Sequence, residues 1–194
     1  MDQRNRDHEM FRVLLIGDFH IPSRVQKIPD QILDRIKEES FDLVLCTGDL
    51  TDQSIVKILA GFGKPYIVRG NMDYLTYPEG CKVKVEDFIV GLTHGDTVYP
   101  RGDTHKLARI ATRASADILI SGHTHRPSID EVTTEAGKRI LLLNPGSATG
   151  VWSGEGAVGN PSFMILLVRA GEATIKVFEM NRGRLEERIY LFKK

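Results

Sequence analysis

Cysteine is nearly absent from this sequence. The chain has two in 194 residues, Cys46 and Cys81, and neither belongs to a C-x-x-C pair. A disulfide framework and a thiolate zinc site are therefore excluded. Cys46 ends the apolar run DLVLC and reads as a small buried hydrophobe, and a reducing, cytoplasmic setting is expected. Net charge is absent as well, because 26 basic residues balance 26 acidic ones. No overall positive field draws the chain to nucleic acid or to an anionic membrane. Nor is there a stripe of interleaved aromatic and basic residues for single strands to stack on, so nucleic acid is not an expected partner. Long hydrophobic runs are missing too. Runs such as 163–168 have strand length, far below the roughly 20 residues that span a bilayer. The first ten residues, MDQRNRDHEM, are polar and contain no apolar stretch of signal-peptide length.

What the chain does contain is an ordinary globular mixture, 41% apolar and 27% charged. A chain of this size is expected to form one domain over 11–194, preceded by a polar tail over 1–10. Short runs rich in Val, Ile and Leu at 11–16, 43–46, 66–68, 88–92 and 118–120 read as buried strands. Helical periods fall between them. Pro29 opens one, with Ile32, Leu33 and Ile36 on a face. Thr51 or Asp52 caps a second, with Ile55, Ile58, Leu59 and Phe62 in register. Asp103 precedes a third, with Leu107, Ile110, Ala111 and Ala114 inward. This alternation implies parallel crossovers. Later runs at 140–143, 163–168, 174–178 and 187–192 read as strands joined by tight turns, two of which carry RAGE and NRGR. The expected fold class is α/β with two sheets.

The chemistry follows the strands. The first run ends in GDFH, the second in TGD, the third in RGNMD, the next in THGD and the last in SGHTH. Ligands bind beyond the carboxyl ends of strands in α/β sheets. Asp18, His20, Asp49, Asn71, Asp73, His94, Asp96, His123 and His125 are thus delivered to one edge by five strands. Asp-x-His places two donors on the same side of an extended segment, and His123 and His125 share that spacing. Mixed imidazole and carboxylate donors suit Zn, Mn, Fe or Ni better than Ca. Seven candidate ligands among these nine exceed what one ion needs and fit two ions sharing a carboxylate.

In that order, GDFHIP, LCTGDL, VRGN, DILISGHTH and LLNPGSATG resemble the calcineurin-like metallophosphoesterase superfamily. Within it they resemble the small phosphodiesterase branch that includes the Vps-twenty-nine retromer subunit and its prokaryotic relatives. The resemblance implies a four-layer αββα sandwich of two mixed sheets. It also implies a binuclear metal-dependent phosphodiesterase. Asp18, His20 and His125 would hold one ion, Asn71, His94 and His123 the other, and Asp49 would bridge them. A metal-bridging hydroxide would attack phosphorus in line, with Asn71 and His94 at the reacting phosphate. Manganese is the ion expected first, with Zn, Fe, Ni or Mg as alternatives, and a small phosphodiester is the expected substrate. Two departures stand out. Met72 occupies a position where many relatives place a histidine that protonates the leaving group, and Asp73 is the nearest carboxyl that remains. Asp96 replaces a frequent second histidine. The retromer subunit acts mainly as a scaffold and is altered at the positions of Asp49 and Asn71, whereas this chain keeps both. A protein-binding scaffold with vestigial metals is the alternative, and a homodimer through the final apolar strands is open.

Each residue also has a plainer reading. Asp18 and Asp49 could cap helices, and Asn71 and Asp73 could satisfy turns. Arg126 could bind an anion or simply face solvent. His105 reads as a solvent-facing residue of the third helix. The metallo-β-lactamase pattern fails, because Arg126, Pro127 and Ser128 follow His125. The loop 151–160, with Trp152, could rim the pocket, form a subunit contact or be an insertion.

Overall fold

A computed structural model describes residues 10–154 and 159–194. The polar-tail expectation falls almost wholly outside the described residues, as does the centre of the 151–160 loop. The elements run β1 (Phe11–Ile16), α1 (Asp30–Lys37), β2 (Leu43–Cys46), α2 (Gln53–Ala60), β3 (Lys64–Ile67), β4 (Gly80–Val85), β5 (Phe88–Thr93), α3 (Thr104–Arg113), β6 (Ile118–Ile120), β7 (Pro127–Thr133), β8 (Arg139–Pro145), β9 (Ser162–Arg169), β10 (Glu172–Asn181) and β11 (Arg184–Lys193). They form a six-stranded sheet of order β11-β10-β9-β1-β2-β3 and a five-stranded sheet of order β4-β5-β6-β8-β7. Both are mixed. In the first, β1, β2 and β3 run parallel while β9 pairs antiparallel with β1. In the second, β5, β6 and β8 are parallel, with antiparallel edges at β4 and β7.

The layers follow from the two-residue period of each strand. In β1, Val13 and Leu15 turn inward onto the second sheet, where they meet Val90, Ile118, Leu141 and others in the central core. Leu14 and Ile16 turn outward onto Ile32 and Ile36 of α1 and Ile55 and Leu59 of α2. On the far side, Leu107 and Ala111 of α3 cover Leu119 and Leu142. The result is the αββα sandwich. Near α1, Phe163 and Phe178 stack at 4.8 Å and the Arg35 guanidinium lies 4.5 Å from the Phe178 ring, fastening that helix to the sheet.

The structure differs from the sequence reading in several places. β4 and β7 were not anticipated. In β4 the side chains alternate exposed and half-buried, with Lys82 and Lys84 outward, and β7 is comparably polar. These are edge strands whose charges discourage pairing with other chains, so neither shows an apolar run. β3 ends at Ile67 rather than Val68, and α2 stops at Ala60, leaving Phe62 to pack from the following turn. Ile58 is 38% exposed, not inward. Strands β9 to β11 extend the first sheet. The two hairpin turns are as expected. Ala170 and Gly171, and then Arg182 and Gly183, all have positive φ, the pattern of a type I′ turn. No helix among the described residues is long and apolar enough to cross a membrane.

One buried charge ties the second sheet together. Asp117, 4% exposed, accepts from the Ile89 amide at 2.9 Å and from Lys194 at 2.8 Å, and it pairs with Lys138 at 3.0 Å. Burial alone would raise its carboxyl, but these donors outweigh burial and hold it below the usual range. Asp117→Asn should cost about 1–3 kcal/mol, a fall in Tm of roughly 2–12 °C. A depressed carboxyl stabilises above its unfolded pKa and loses that contribution as pH falls through the folded one. The gap between variant and native protein should therefore be full at neutral pH and close as pH drops below about 4. Thermal melts across pH check this, and a gap constant with pH would contradict it.

Candidate metal centre

The strand ends that carry the chemistry belong to two sheets, not one. Asp18 and His20 follow β1, Asp49 follows β2 and Asn71 follows β3, all in the first sheet. His94 follows β5, and His123 and His125 follow β6, in the second. The sheets face each other, so both sets of carboxyl ends open onto the same place. Neither Asp18 nor Asp49 caps a helix. The caps are Pro29, Asp52 and Asp103, and the Asp52 and Asp103 side chains accept from the Ser54 and Lys106 amides.

Getting these side chains to one point requires unusual backbone. Asp18, His20, Asp49, Thr51, His123 and His125 all have positive φ, between 49° and 69°. Such conformations cost on the order of 1–3 kcal/mol each in a non-glycine residue and cluster at functional sites. Two glycines make room. A Cβ on Gly70 would lie 2.1 Å from Asp49 Oδ1, and one on Gly122 would lie 2.5 Å from Asp18 Oδ2.

The donor atoms fall into two groups. In one, Asp18, His20, Asp49 and His125 offer atoms within 4.8 Å of one another, all four side chains buried. His20 Nε2 lies 3.2 Å from His125 Nε2 and 3.3 Å from Asp49 Oδ2, and His125 Nε2 lies 3.3 Å from Asp18 Oδ1. In the other, His94 Nε2 lies 3.1 Å from Asn71 Oδ1, 3.2 Å from His123 Nδ1 and 3.5 Å from Asp49 Oδ2. Asp49 Oδ2 belongs to both. Its Oδ1 is turned away and accepts from the Met72 amide at 2.8 Å.

Hydrogen bonds outside the cluster fix the ring tautomers. His94 Nδ1 donates to the Thr47 carbonyl at 2.7 Å, and His125 Nδ1 donates to the Val151 carbonyl at 2.8 Å. In the neutral ring each Nε2 therefore points a lone pair inward. His94 Nε2 then faces two acceptors, Asn71 Oδ1 and Asp49 Oδ2, and the ring nitrogen His123 Nδ1. One proton on His125 can relieve its contact with Asp18. Although burial works against it, Asp18 raises the His125 pKa. A divalent cation would satisfy the remaining acceptors together.

The electrostatics point the same way. Burial pulls His20 down to about 3 against the opposing pull of Asp18, and burial with His94 and Arg101 nearby pulls His123 down to about 4. Both rings are neutral at pH 7 and so able to ligate. Burial pushes the Asp49 carboxyl up, and the Asp18 charge adds to this. Asp18 is fully buried, yet His125 and the surrounding imidazoles hold it below the usual range. Deep, crowded imidazoles, His20 and His123 neutral among them, around two carboxylates fit a divalent cation of the Zn or Mn kind.

Asp73 lies behind the cluster, not in it. Its Oδ1 accepts from the Leu50 and Thr51 amides at 2.7 and 3.0 Å, and its Oδ2 from the Asp49 and Gly70 amides at 2.8 and 2.9 Å. Four amides use both oxygens, so the side chain braces the loop that aims Asp49. Asn71 is exposed at the rim, Met72 and Asp73 are half-buried, and Asp96, His105 and Arg126 face solvent. His8 lies outside the described residues. The sequence reading gave no role to the braces in the 144–150 segment. Ser147 Oγ donates to the Asp18 carbonyl at 2.7 Å, Thr149 Oγ1 to the Phe19 carbonyl at 2.9 Å, and Asn144 Nδ2 to the Gly122 carbonyl at 2.9 Å. Small polar residues among glycines, in a segment following an apolar run, were the available signal.

A cation bound here should stabilise the fold. At a hundred times its Kd it adds about 2.7 kcal/mol, or roughly 5–10 °C in Tm. Titrating chelator-treated protein with Mn²⁺ or Zn²⁺ should show this shift, and Asp49→Asn should lose most of it. An equal shift in the variant would contradict the assignment of Asp49 as a donor.

Residues 11–171 match the family model described as the calcineurin-like phosphoesterase superfamily domain. A probable metallophosphoesterase of Methanocaldococcus jannaschii is 42% identical over 135 residues, which is 70% of this chain and 67% of that protein. A probable metallophosphoesterase of Methanothermobacter thermautotrophicus is 39% identical over 157 residues, 79% of this chain and 84% of that one. Among solved structures, wild-type Vps29 of Entamoeba histolytica complexed with Zn²⁺ is 37% identical and superimposes with a TM-score of 0.85, covering 93% of this chain and 99% of that one. With a metal-donor cluster at the strand ends of an αββα sandwich and a family match over most of its length, the chain belongs to the calcineurin-like phosphoesterase superfamily.

Proposed function

We propose that residues 11–194 act as one catalytic unit, a binuclear phosphodiesterase. The observation that carries this reading is the position of Asp49 Oδ2, 3.3 Å from His20 Nε2 in one donor group and 3.5 Å from His94 Nε2 in the other. Asp18, His20, Asp49 and His125 would hold one divalent ion, and Asn71, His94, His123 and Asp49 the second. Manganese is the first choice on ligand type, and zinc has support from the zinc-bound Vps29 relative. Such ions supply Lewis-acid activation of a water and neutralise charge that builds on phosphoryl oxygens.

The chain's own residues then do three things. Asn71, exposed at the rim, offers an amide to a phosphoryl oxygen. Asp73 acts as a positioning residue, holding the Asp49 backbone through four amides. His94 and His125 keep their inward lone pairs because Thr47 and Val151 take the opposite ring protons. Met72 has no proton to give, so a leaving group departs without acid help. Lost acid catalysis is worth on the order of 10²–10⁴-fold, and good leaving groups should be favoured. Asp96 adds a negative charge near His123. A diester brings one negative charge where a monoester brings nearly two, so this carboxylate supports the diester.

The second reading is a protein-binding scaffold, favoured by the similarity to Vps29. Hydrolysis of bis-p-nitrophenyl phosphate, beside the monoester p-nitrophenyl phosphate, separates the two. Metal-free protein titrated with Mn²⁺, Ni²⁺ or Zn²⁺ should turn over the diester in preference to the monoester. Asp49→Ala should abolish that turnover. Bound metal with no turnover of either ester would favour the scaffold.

A further inference from the structure

The first sheet ends on two very different edges. β3 is four residues long and holds Pro65, which has no N–H to offer a further strand. β11 is ten residues long and pairs with β10 along its whole length, and no further strand pairs with it among the described residues. The two-residue turn at Arg182 and Gly183 makes Asn181 and Arg184 a hydrogen-bonded pair. At the other end the Lys194 amide donates to the Gly171 carbonyl at 3.1 Å. Even-numbered residues of β11 therefore use their amides and carbonyls on β10. Leu185, Glu187, Ile189, Leu191 and Lys193 point theirs away from the sheet, where another strand can take them.

The same five residues share a face. Tyr190 and Phe192 turn toward the second sheet, where Tyr190 Oη donates to Glu131 at 2.9 Å and steadies the edge. Ile189 and Leu191 turn to the outer face. They are 62% and 69% exposed, the two most exposed large aliphatic side chains among the described residues. Glu187 and Lys193 flank them. Within the chain Glu187 pairs with Lys176 at 3.4 Å, and Lys193 pairs with Glu172. An antiparallel copy of this strand must set odd-numbered residues against odd-numbered ones, each such pair exchanging two backbone hydrogen bonds. One register puts Glu187 opposite the partner's Lys193 and Ile189 opposite the partner's Leu191, with Tyr190 on the two-fold axis. Each charge then gains a second opposite charge beside the one it has. Sliding the copies by two residues one way sets Glu187 against the partner's Leu191, and the other way sets Lys193 against the partner's Ile189. The strip is thus complementary to itself. We infer that β11 is the interface of a homodimer, in which two copies join their six-stranded sheets through antiparallel β11 strands in that register.

Sedimentation equilibrium of the full chain at micromolar concentration should give twice the chain's mass. Glu187→Lys sets lysine against lysine in two rows, and Lys193→Glu sets glutamate against glutamate. Each should raise the Kd of the dimer about tenfold or more. Mixed in equal amounts, the two variants should return to within about threefold of the native Kd, because both rows again hold opposite charges. Contacts inside each chain are the same in the mixture as alone, so neither a lost internal pair nor misfolding can produce that recovery. A second readout fixes the register. In a Cys81→Ser background, Tyr190→Cys should cross-link to its copy on oxidation, since it faces itself across the axis at a disulfide-compatible spacing, and Ile189→Cys should not. A native chain that stays monomeric, a dimer indifferent to either charge reversal, no recovery in the mixture, or cross-linking at 189 in place of 190 would overturn the inference.

Discussion

One carboxylate oxygen sets the terms for the rest of the molecule. Asp49 Oδ2 is shared by imidazoles that arrive from different sheets, His20 from the first and His94 from the second. Imidazole and carboxylate donors converge there that a divalent cation would hold together. The protein holds them together by force of structure. Asp73 grips four amides around Asp49 and its loop, and the Met72 amide turns away the other Asp49 oxygen. Six non-glycine residues at the centre or beside it sit at positive φ. At about 1–3 kcal/mol each, this strain needs a large reserve of burial to offset it. The sandwich supplies that reserve. Its two sheets enclose a core of fully buried aliphatic side chains, and both outer faces are covered by helices.

That division of labour explains the architecture. Parallel strands β1, β2 and β3, and β5, β6 and β8, put their carboxyl ends at the same edge of each sheet. Facing sheets bring the two edges together, so donors distant in sequence meet without a long loop. His20 and His125 are 105 residues apart and their Nε2 atoms 3.2 Å apart. The segment 144–150, at the end of β8 and just beyond it, closes the arrangement by donating to carbonyls at the β1 and β6 ends. A catalytic reading and a scaffold reading share this frame. They differ in whether the buried acceptors hold two ions that a substrate reaches.

Much of this was legible in the residues. The strand-end motifs marked Asp18, His20, Asp49, Asn71, His94, His123 and His125, because aspartate and histidine at the end of an apolar run have few structural reasons to recur five times. Capping by Asp52 and Asp103 was legible as well, as were the two tight hairpins. The assignment of strands to two sheets was not, since periodicity fixes an element's faces but not its neighbours. Strands β4 and β7 were hidden by polar residues at the sheet edges. The bracing roles of Asp73, Ser147 and Thr149 depend on which backbone amides and carbonyls they meet, which residue type alone does not specify.

The central claim is that Asp49 joins two metal sites into one. Electron paramagnetic resonance of the protein loaded with increasing Mn²⁺ tests this most directly. Two ions sharing a carboxylate oxygen couple magnetically, so the spectrum at two equivalents should be that of an exchange-coupled pair. In Asp49→Ala the coupling should vanish, even if one ion still binds. A spectrum of isolated ions that saturates at one equivalent in the native protein would contradict the shared carboxylate, and with it the binuclear account.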